Sequence, residues 1–252
     1  MPQFDDDIFL GTAQTYMGTN SNSNLGDPAP MDLGVGPVGR IYVWDTVPAA
    51  KAANNLVTST TPTVAGSLTI TAGAGVTAVT LNNGSTAYQL DVPRAVSVTT
   101  ASGTHASANL TVSGYDYYGQ AMSEVIASSA SASTTVNGLK AFFQITGITI
   151  SGGTTGAITV GTTDILGSPV RFSDRGYLDS VGWNNTLAED AATTVVADTT
   201  SPATTTTGDV RGTYVPSSAS NGIRRLVLEI GLPGIASGPN ATRTGALGVT
   251  QA

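Results

Sequence analysis

The chain has 252 residues, a formal net charge of −7 and 11% charged residues, with no cysteine and one histidine. The absence of cysteine excludes disulfides and thiolate metal sites, and the negative charge argues against nucleic acid as a partner, because phosphate binding needs clustered positive charge. No apolar run reaches the length of about eighteen residues that a transmembrane helix needs, so we expect no membrane partner.

The low charge itself carries information about the surface. Soluble domains usually contain about 25% charged residues, and weakly charged surfaces associate easily. The composition therefore indicates either a surface that other subunits cover or a bias of the source organism. Both interpretations stay open at this point.

Residues 1–55 are predicted to form an extended N-terminal arm. The polar run Thr19–Asn24 and the Pro- and Gly-rich stretch that follows it disfavour regular structure, and Arg40–Asp45 alone has the β-branched and aromatic residues of a strand. The first ten residues lack the basic start and apolar stretch of a secretion signal, so we expect that the chain is made in a cytoplasm or is delivered by some other route. The arm carries apolar residues that need a surface to contact, either on their own domain or on a neighbour: Phe4, Ile8, Phe9, Leu10, Ile41, Val43 and Trp44.

Residues 56–186 are predicted to form a β-sandwich-like or barrel-like body. Short alternating segments are separated by turn signals such as Asn82–Gly84, Asn137–Gly138 and Gly152–Gly153, a spacing typical of all-β folds. The candidate strands are Ser67–Thr71, Ala78–Leu81, Ala95–Ala101, Ala108–Tyr115, Gln120–Ile126, Ala141–Ser151, Ala157–Gly161, Pro169–Ser173 and Tyr177–Asn184.

The clearest hairpin joins Ala108–Tyr115 to Gln120–Ile126. Leu110 and Val112 share one face of its first strand, and Gly119 supplies the positive φ that such a turn needs. The loop between the strands holds Tyr115, Tyr117 and Tyr118. Tyrosines of this kind serve in protein interfaces and in sugar sites, and Tyr115 and Tyr117 are our candidates for an interface; the alternative is that they pack over the edge of the body.

Residues 187–252 are predicted to contain a Thr-rich loop, two further strands at Asp209–Val215 and Gly222–Ile230, and a C-terminal tail. Leu226, Leu228 and Ile230 alternate with more polar positions, which favours an inner strand face. No segment of the sequence predicts a helix of twelve residues or more. The fold class is therefore all-β, with extended N-terminal and C-terminal arms.

The sequence contains no pattern that predicts catalysis or a cofactor. His105 lies in a predicted surface loop, and the acidic run Asp5–Asp7 lacks the alternate spacing of a calcium loop. Gly73–Ala78 fits the glycine pattern of a dinucleotide site, but a strand rather than a helix is predicted to follow it, so no helix N-terminus would receive the pyrophosphate. We expect a protein that is not an enzyme and binds no cofactor or metal.

Several segments, in this order, resemble a β module that recurs in virion proteins of tailed bacteriophages. They are Pro93–Val98, Ala108–Tyr115, Tyr118–Gly119, Ser123–Ile126, Leu139–Ile148 and Ala157–Thr162, which match the patterns PR-x-V-x-V, V-x-G-x-D-x-x-G, a Thr/Ser-Glu strand and K-x-F-x-x-I-T. Asp198–Tyr214 and Arg224–Leu226 are similar to proteins encoded beside the phage major capsid protein. The resemblance covers most of residues 90–230, and Asp5–Leu10 fits it too.

This resemblance implies a capsid cement, or decoration, protein of the virion. Such a protein is often a homotrimer, binds the major capsid protein on the outside of the expanded head, and has no catalytic residues to transfer. Two other functions stay open on the sequence: a tail, adaptor or fibre component, and a carbohydrate-binding module that uses Tyr115, Tyr117 and Tyr118.

Overall fold

The computed structural model describes residues 38–101, 103, 106–187, 194–198 and 208–233. Within these residues the chain forms β-strands and one three-residue 3-10 helix, Arg175–Tyr177. A curled antiparallel sheet makes a half-barrel, which confirms the predicted all-β, barrel-like class. The predicted arms lie outside the described residues, except for 38–55.

Fifteen strands follow one another along the described chain. They are β1 (Val38–Thr46), β2 (Val57–Thr60), β3 (Gly66–Ser67), β4 (Val76–Thr80), β5 (Thr86–Thr100), β6 (Asn109–Tyr115), β7 (Ala121–Ala127), β8 (Thr135–Asn137), β9 (Phe142–Ile150), β10 (Ile158–Gly167), β11 (Leu178–Trp183), β12 (Thr186–Leu187), β13 (Thr194–Val195), β14 (Thr213–Tyr214) and β15 (Leu226–Pro233).

The larger sheet curls around the long strand β5. Its main order is β13-β14-β10-β5-β9-β6-β7, with β2 on β10, β3 on β9, and β4 and β8 on β5. The first part of β5 pairs with β9 and its last part pairs with β10, so the two neighbours diverge and the sheet closes partly on itself. Apolar side chains from these strands fill the interior, among them Leu90, Val98, Leu110, Ile145 and Ile158.

A second, four-stranded sheet has the order β1-β15-β11-β12. It joins strands from all three regions of the sequence, because β1 pairs along its length with β15, and β15 pairs on its other side with β11. Leu226, Leu228 and Ile230 are fully buried in its core, which confirms the inner face that their alternation predicts. Trp183 is buried beside them.

The predicted hairpin is confirmed as β6 and β7, which pair from Asn109↔Ala127 to Tyr115↔Ala121. Leu110 and Val112 are both buried. Gly119 has φ 76°, the left-handed conformation that the turn requires. Similarly, Gly75 (φ 72°) is followed directly by β4, so no helix follows the glycine pattern at 73–78.

Some predicted strands differ from the structure. The segment Pro169–Ser173 is not a strand, because its main chain bonds to the 209–212 loop: Phe172 donates to the carbonyl of Arg211, and the Ser168 hydroxyl bonds back to Val170. Strands β2 and β8 lack a readable alternation and were not predicted. Of the predicted strand at 209–215, only Thr213–Tyr214 is extended in a sheet.

Gly114 marks the closest approach between β6 and β9. A Cβ there would overlap the carbonyl oxygen of Gln144, whereas a Cβ on Gly147 of β9, which pairs with Ser113, would meet nothing within 4 Å. We expect Gly114→Ala to lower the free energy of unfolding by about 1–3 kcal/mol, because the two strands must move apart. Urea denaturation measures this, with Gly147→Ala as the matched control; equal midpoints for the two variants would contradict the expectation.

Candidate functional site

The turn between β6 and β7 is built around Asp116. One carboxylate oxygen, Oδ1, accepts hydrogen bonds from the backbone N–H groups of Tyr118 (2.8 Å) and Gln120 (2.9 Å). Aspartate side chains commonly close turns in this way. The backbone that carries Tyr117 and Tyr118 is therefore held by a side chain as well as by the strand ladder.

A buried ion pair with Arg211 also holds the Asp116 carboxylate in place. Arg211 Nη1 donates to Asp116 Oδ2 at 2.6 Å, and both side chains are 2% exposed. The guanidinium also lies 4.8 Å from the centre of the Tyr118 ring, within the range of a cation–π contact. Arg211 thus links the loop at 208–215 to the turn and supports its aromatic side chains.

The aromatic side chains of this turn form a small exposed cluster. The Tyr117 ring makes edge-to-face contacts with Tyr118 (centroids 5.3 Å apart) and Phe143 (5.0 Å), and Tyr117 is 49% exposed. The Tyr118 hydroxyl donates to the carbonyl of Pro169 at 2.9 Å. Tyr115, the last residue of β6, is half-buried. We call Tyr117, Tyr118 and Phe143 the aromatic cluster; of its members, Tyr117 presents the most free surface.

The other predicted contact residues lie on β1. Within the described chain this strand pairs only with β15, so its outer edge is a sheet edge. Val43 is 58% exposed, whereas Tyr42 and Trp44 are half-buried and pack against the second core; Ile41 is half-buried. Trp44 is thus partly a core residue, and Val43 is the freer of the predicted side chains.

Groups from other strands influence the Tyr118 phenol. Burial raises its pKa, and Tyr42 of β1 contributes to the rise, whereas the Arg211 guanidinium opposes it. The exposed edge of β1 and the exposed Tyr117 ring can each contact a protein partner on this weakly charged surface, the strand through main-chain hydrogen bonds and the ring through aromatic burial.

Several predicted residues lie outside the described residues, namely Phe4, Ile8, Phe9, Leu10 and His105. In the part of the chain that the structure describes, no group of three or more His, Cys, Asp or Glu side chains could hold a metal ion. No helix within those residues is long and apolar enough to cross a membrane.

Buried carboxylates continue the polar network beneath the aromatic cluster. Asp209 accepts from the N–H groups of Arg211 and Ala141, each at 3.0 Å, and burial raises its pKa. Glu124 accepts from Leu139 N (2.6 Å) and Lys140 N (3.3 Å). Sequence patterns did not predict this network, because its members come from distant strands and no spacing relates them.

Glu124 makes the free energy of unfolding depend on pH. Burial raises its pKa above the ordinary value of 4.5, despite the opposing hydrogen bonds from Leu139 and Lys140. Just above pH 4.5 the unfolded chain has released this proton while the folded chain still holds it, so stability falls as pH rises towards the folded pKa and then stays level. We expect Glu124→Gln to remove this fall.

The difference in urea midpoint between the native chain and Glu124→Gln measures the contribution of Glu124 to this pH dependence. The other titratable groups, among them Asp209, Asp116 and Lys140, are present in both chains. The advantage of the native chain should shrink as the pH is raised from about 4 to about 8. An advantage that stays constant, or that grows with pH, would contradict a raised pKa for Glu124.

The residues of the motifs at 93–98, 112–119, 123–126 and 140–146 make contacts within the fold. Arg94 is buried and donates to Asp91 (2.8 Å) and to a backbone carbonyl of the 47–50 connection. Gly114 permits the β6–β9 approach, Glu124 holds the backbone at Lys140, and Asp116 builds the turn. The motif residues named here therefore serve the structure of the body, whereas Tyr117 and the edge of β1 are exposed on its surface.

No family model, curated protein or solved structure matches this chain.

Proposed function

We propose that this chain is a structural virion protein, a decoration protein that binds the outside of a mature tailed-phage head. Its partner is the major capsid protein, and it acts as a homotrimer on the virion surface. The observation that carries the proposal is that a body of low charge presents both an exposed edge strand, β1, and an aromatic cluster with an exposed tyrosine, Tyr117. The order of the motifs over residues 90–230 supports it.

The mechanism is thermodynamic linkage. A protein that binds only the expanded lattice stabilises it by mass action, by RT ln(1 + [L]/Kd) for each site. Such a protein needs a rigid body and complementary surfaces, and it needs no catalytic groups. In this proposal the half-barrel is the rigid body, and β1 and Tyr117 form part of the complementary surface.

The contact residues fall into two groups in this proposal. Tyr117 and Val43 belong to the body, and the N-terminal residues Phe4, Ile8, Phe9 and Leu10 belong to an arm that makes lattice or inter-subunit contacts. Extended arms add strands to the sheet edges of their partners through main-chain hydrogen bonds, with alternate side chains supplying specificity.

Copy number in purified virions tests the proposal directly. Quantitative mass spectrometry would give the ratio of this chain to the major capsid protein. A ratio near one is the expected result. A few copies per particle would favour a tail, adaptor or fibre component, and absence from the particles would overturn the assignment to the virion.

The proposed trimer has its own measurement. Sedimentation equilibrium of the purified full chain should give about three times the chain mass of 25.3 kDa. A mass of one chain at micromolar concentration would remove the trimer from the proposal and leave head binding to be judged by copy number.

Tyr117→Ala tests the aromatic cluster. A buried tyrosine at the centre of an interface commonly contributes about 2 kcal/mol or more, so we expect head binding to weaken by roughly 30-fold with little change in stability. Ile223→Ala removes an even more exposed apolar side chain elsewhere and should bind normally. Normal binding by Tyr117→Ala, together with glycan binding that this variant loses, would favour a carbohydrate-binding module instead.

A further inference from the structure

The half-barrel has an open seam between β2 and β3. Strand β2 lies on the outer side of β10, and β3 lies on β9. These two strands are consecutive in sequence, yet they pair with different neighbours, so the hairpin that they form is held apart. The seam is the place where one more strand would continue the curled sheet.

The hairpin closes at its base and opens towards its turn. At the base, Thr71 N donates to Leu56 O (2.8 Å) and Gly73 N donates to Asn55 O (2.9 Å). Towards the turn, a groove of about 410 Å³ separates the two sides. Its walls are residues 57–60 and 66–69, and Ile150 contributes to its lining.

Main-chain groups point into this groove. Leu68 donates its N–H to Ile148 of β9. Since successive residues of a strand direct their main-chain groups to opposite sides, the N–H and C=O groups of Ser67, the last residue of β3, point away from β9 and towards the groove. Exposed strand edges of this kind are templates for another strand.

The lining also limits the chemistry of what binds. No charged side chain lines the groove; its walls are hydroxyl and small apolar side chains. A charge placed there would find no partner, so the bound strand must be uncharged where it enters. The occupant is therefore an uncharged extended peptide with residues that favour strands.

The N-terminal segment has this composition. Residues 8–26 carry no charged side chain, and their first part, Ile8–Tyr16, contains Ile, Phe, Thr and Tyr, which favour strands. Two uncharged runs lie near the C-terminus, residues 230–242 and 244–252, but they are rich in Gly, Ala and Pro, which disfavour strands.

The direction of β1 favours a second copy as the source. The connection from β1 to β2 leaves from Thr46, whereas the N-terminal segment joins β1 at Val38. A nine-residue strand is about 30 Å long, so the N-terminal segment joins the body about 30 Å from Thr46, where the connection to β2 begins. Between Leu10 and Val38 the chain can extend up to about 90 Å, enough to reach a neighbour.

We propose that the β2–β3 groove is a strand-acceptor site that binds residues 8–12 of the N-terminal segment of a second copy of this chain. The segment adds a strand to the seam and places Ile8 and Leu10 on one face of it. This inference does not depend on capsid binding, because it concerns contacts between copies in solution.

Disulfide trapping in the full chain tests it, because the native sequence has no cysteine. Leu10→Cys and Thr69→Cys are made as separate, differently tagged chains, mixed and oxidised, so that only a contact between copies joins them. Thr77→Cys replaces Thr69→Cys in the matched control, since Thr77 is also an exposed threonine but lies outside the groove. We expect the Leu10→Cys chain to cross-link to the Thr69→Cys chain about tenfold faster than to the control chain, as a higher local concentration requires.

A competing peptide makes the test specific to the groove. A synthetic peptide of residues 5–17 should slow the cross-link, and the same peptide with Ile8 and Leu10 replaced by aspartate should not. Equal rates for the Thr69→Cys and Thr77→Cys chains, or a cross-link that the native peptide does not slow, would overturn the proposal.

Discussion

Replacing Arg211 by methionine should lower the free energy of unfolding by about 3–5 kcal/mol, because it leaves the Asp116 carboxylate buried without this cationic partner. The two side chains are 2% exposed and 2.6 Å apart, so water cannot take the place of the guanidinium. The same variant loses the contact with the Tyr118 ring. Urea denaturation followed by circular dichroism measures the change.

An exposed ion pair serves as the matched control. Arg225 and Asp45 form a pair whose side chains are 57% and 43% exposed. Solvent screens pairs of this kind, so Arg225→Met should change the urea midpoint far less than Arg211→Met. Similar losses in the two variants would mean that burial does not set the importance of the Arg211 pair.

A double variant separates charge from packing. Asp116→Asn retains an oxygen that can accept from Tyr118 N and Gln120 N while removing the charge. In the Arg211→Met background it should recover part of the lost stability, because the unpaired charge is then absent. If the double variant is less stable than Arg211→Met, the cost lies in the turn hydrogen bonds and not in the buried charge.

Part of the fold could be predicted from the alternation of apolar and polar residues along single strands. The β6–β7 hairpin and the inner face of β15 could be predicted from the sequence. Each strand has one buried face, so its apolar and polar residues alternate along the chain. The all-β class followed from many such segments. The segment Pro169–Ser173 has similar residues, but its main chain bonds to the 209–212 loop, and no local pattern shows a partner about 40 residues away.

The candidate surface was only partly readable for the same reason. Tyr117 and Val43 could be selected as exposed candidates, since each stands in a strand or turn of evident type. The pairing of Arg211 with Asp116, 95 residues apart, could not be predicted from the sequence. Arg211 is an isolated charge near a Thr-rich segment, and no sequence pattern indicates which acidic residue it pairs with.

Deleting residues 1–10 should abolish head binding while leaving the body as stable as the native chain. This deletion removes Phe4, Ile8, Phe9 and Leu10, the apolar residues of the proposed arm. It leaves β1 intact, which matters because β1 begins at Val38 and pairs with β15 in the second sheet. Loss of the arm removes main-chain and apolar contacts with the partner without touching either core.

Deleting residues 18–26 provides the matched control. It removes a stretch of nearly the same length that is polar and Gly-rich, and it shortens the connection between the apolar residues and β1. Shortening a connection by nine residues changes the entropy of bringing its ends together by only a fraction of a kcal/mol, so this variant should still bind. Cosedimentation with expanded heads that lack the protein measures binding, and the urea midpoint of each variant reports the body. Binding by the 1–10 deletion at the native level would remove the arm from the interface and leave β1 and Tyr117 as the contacts to the shell.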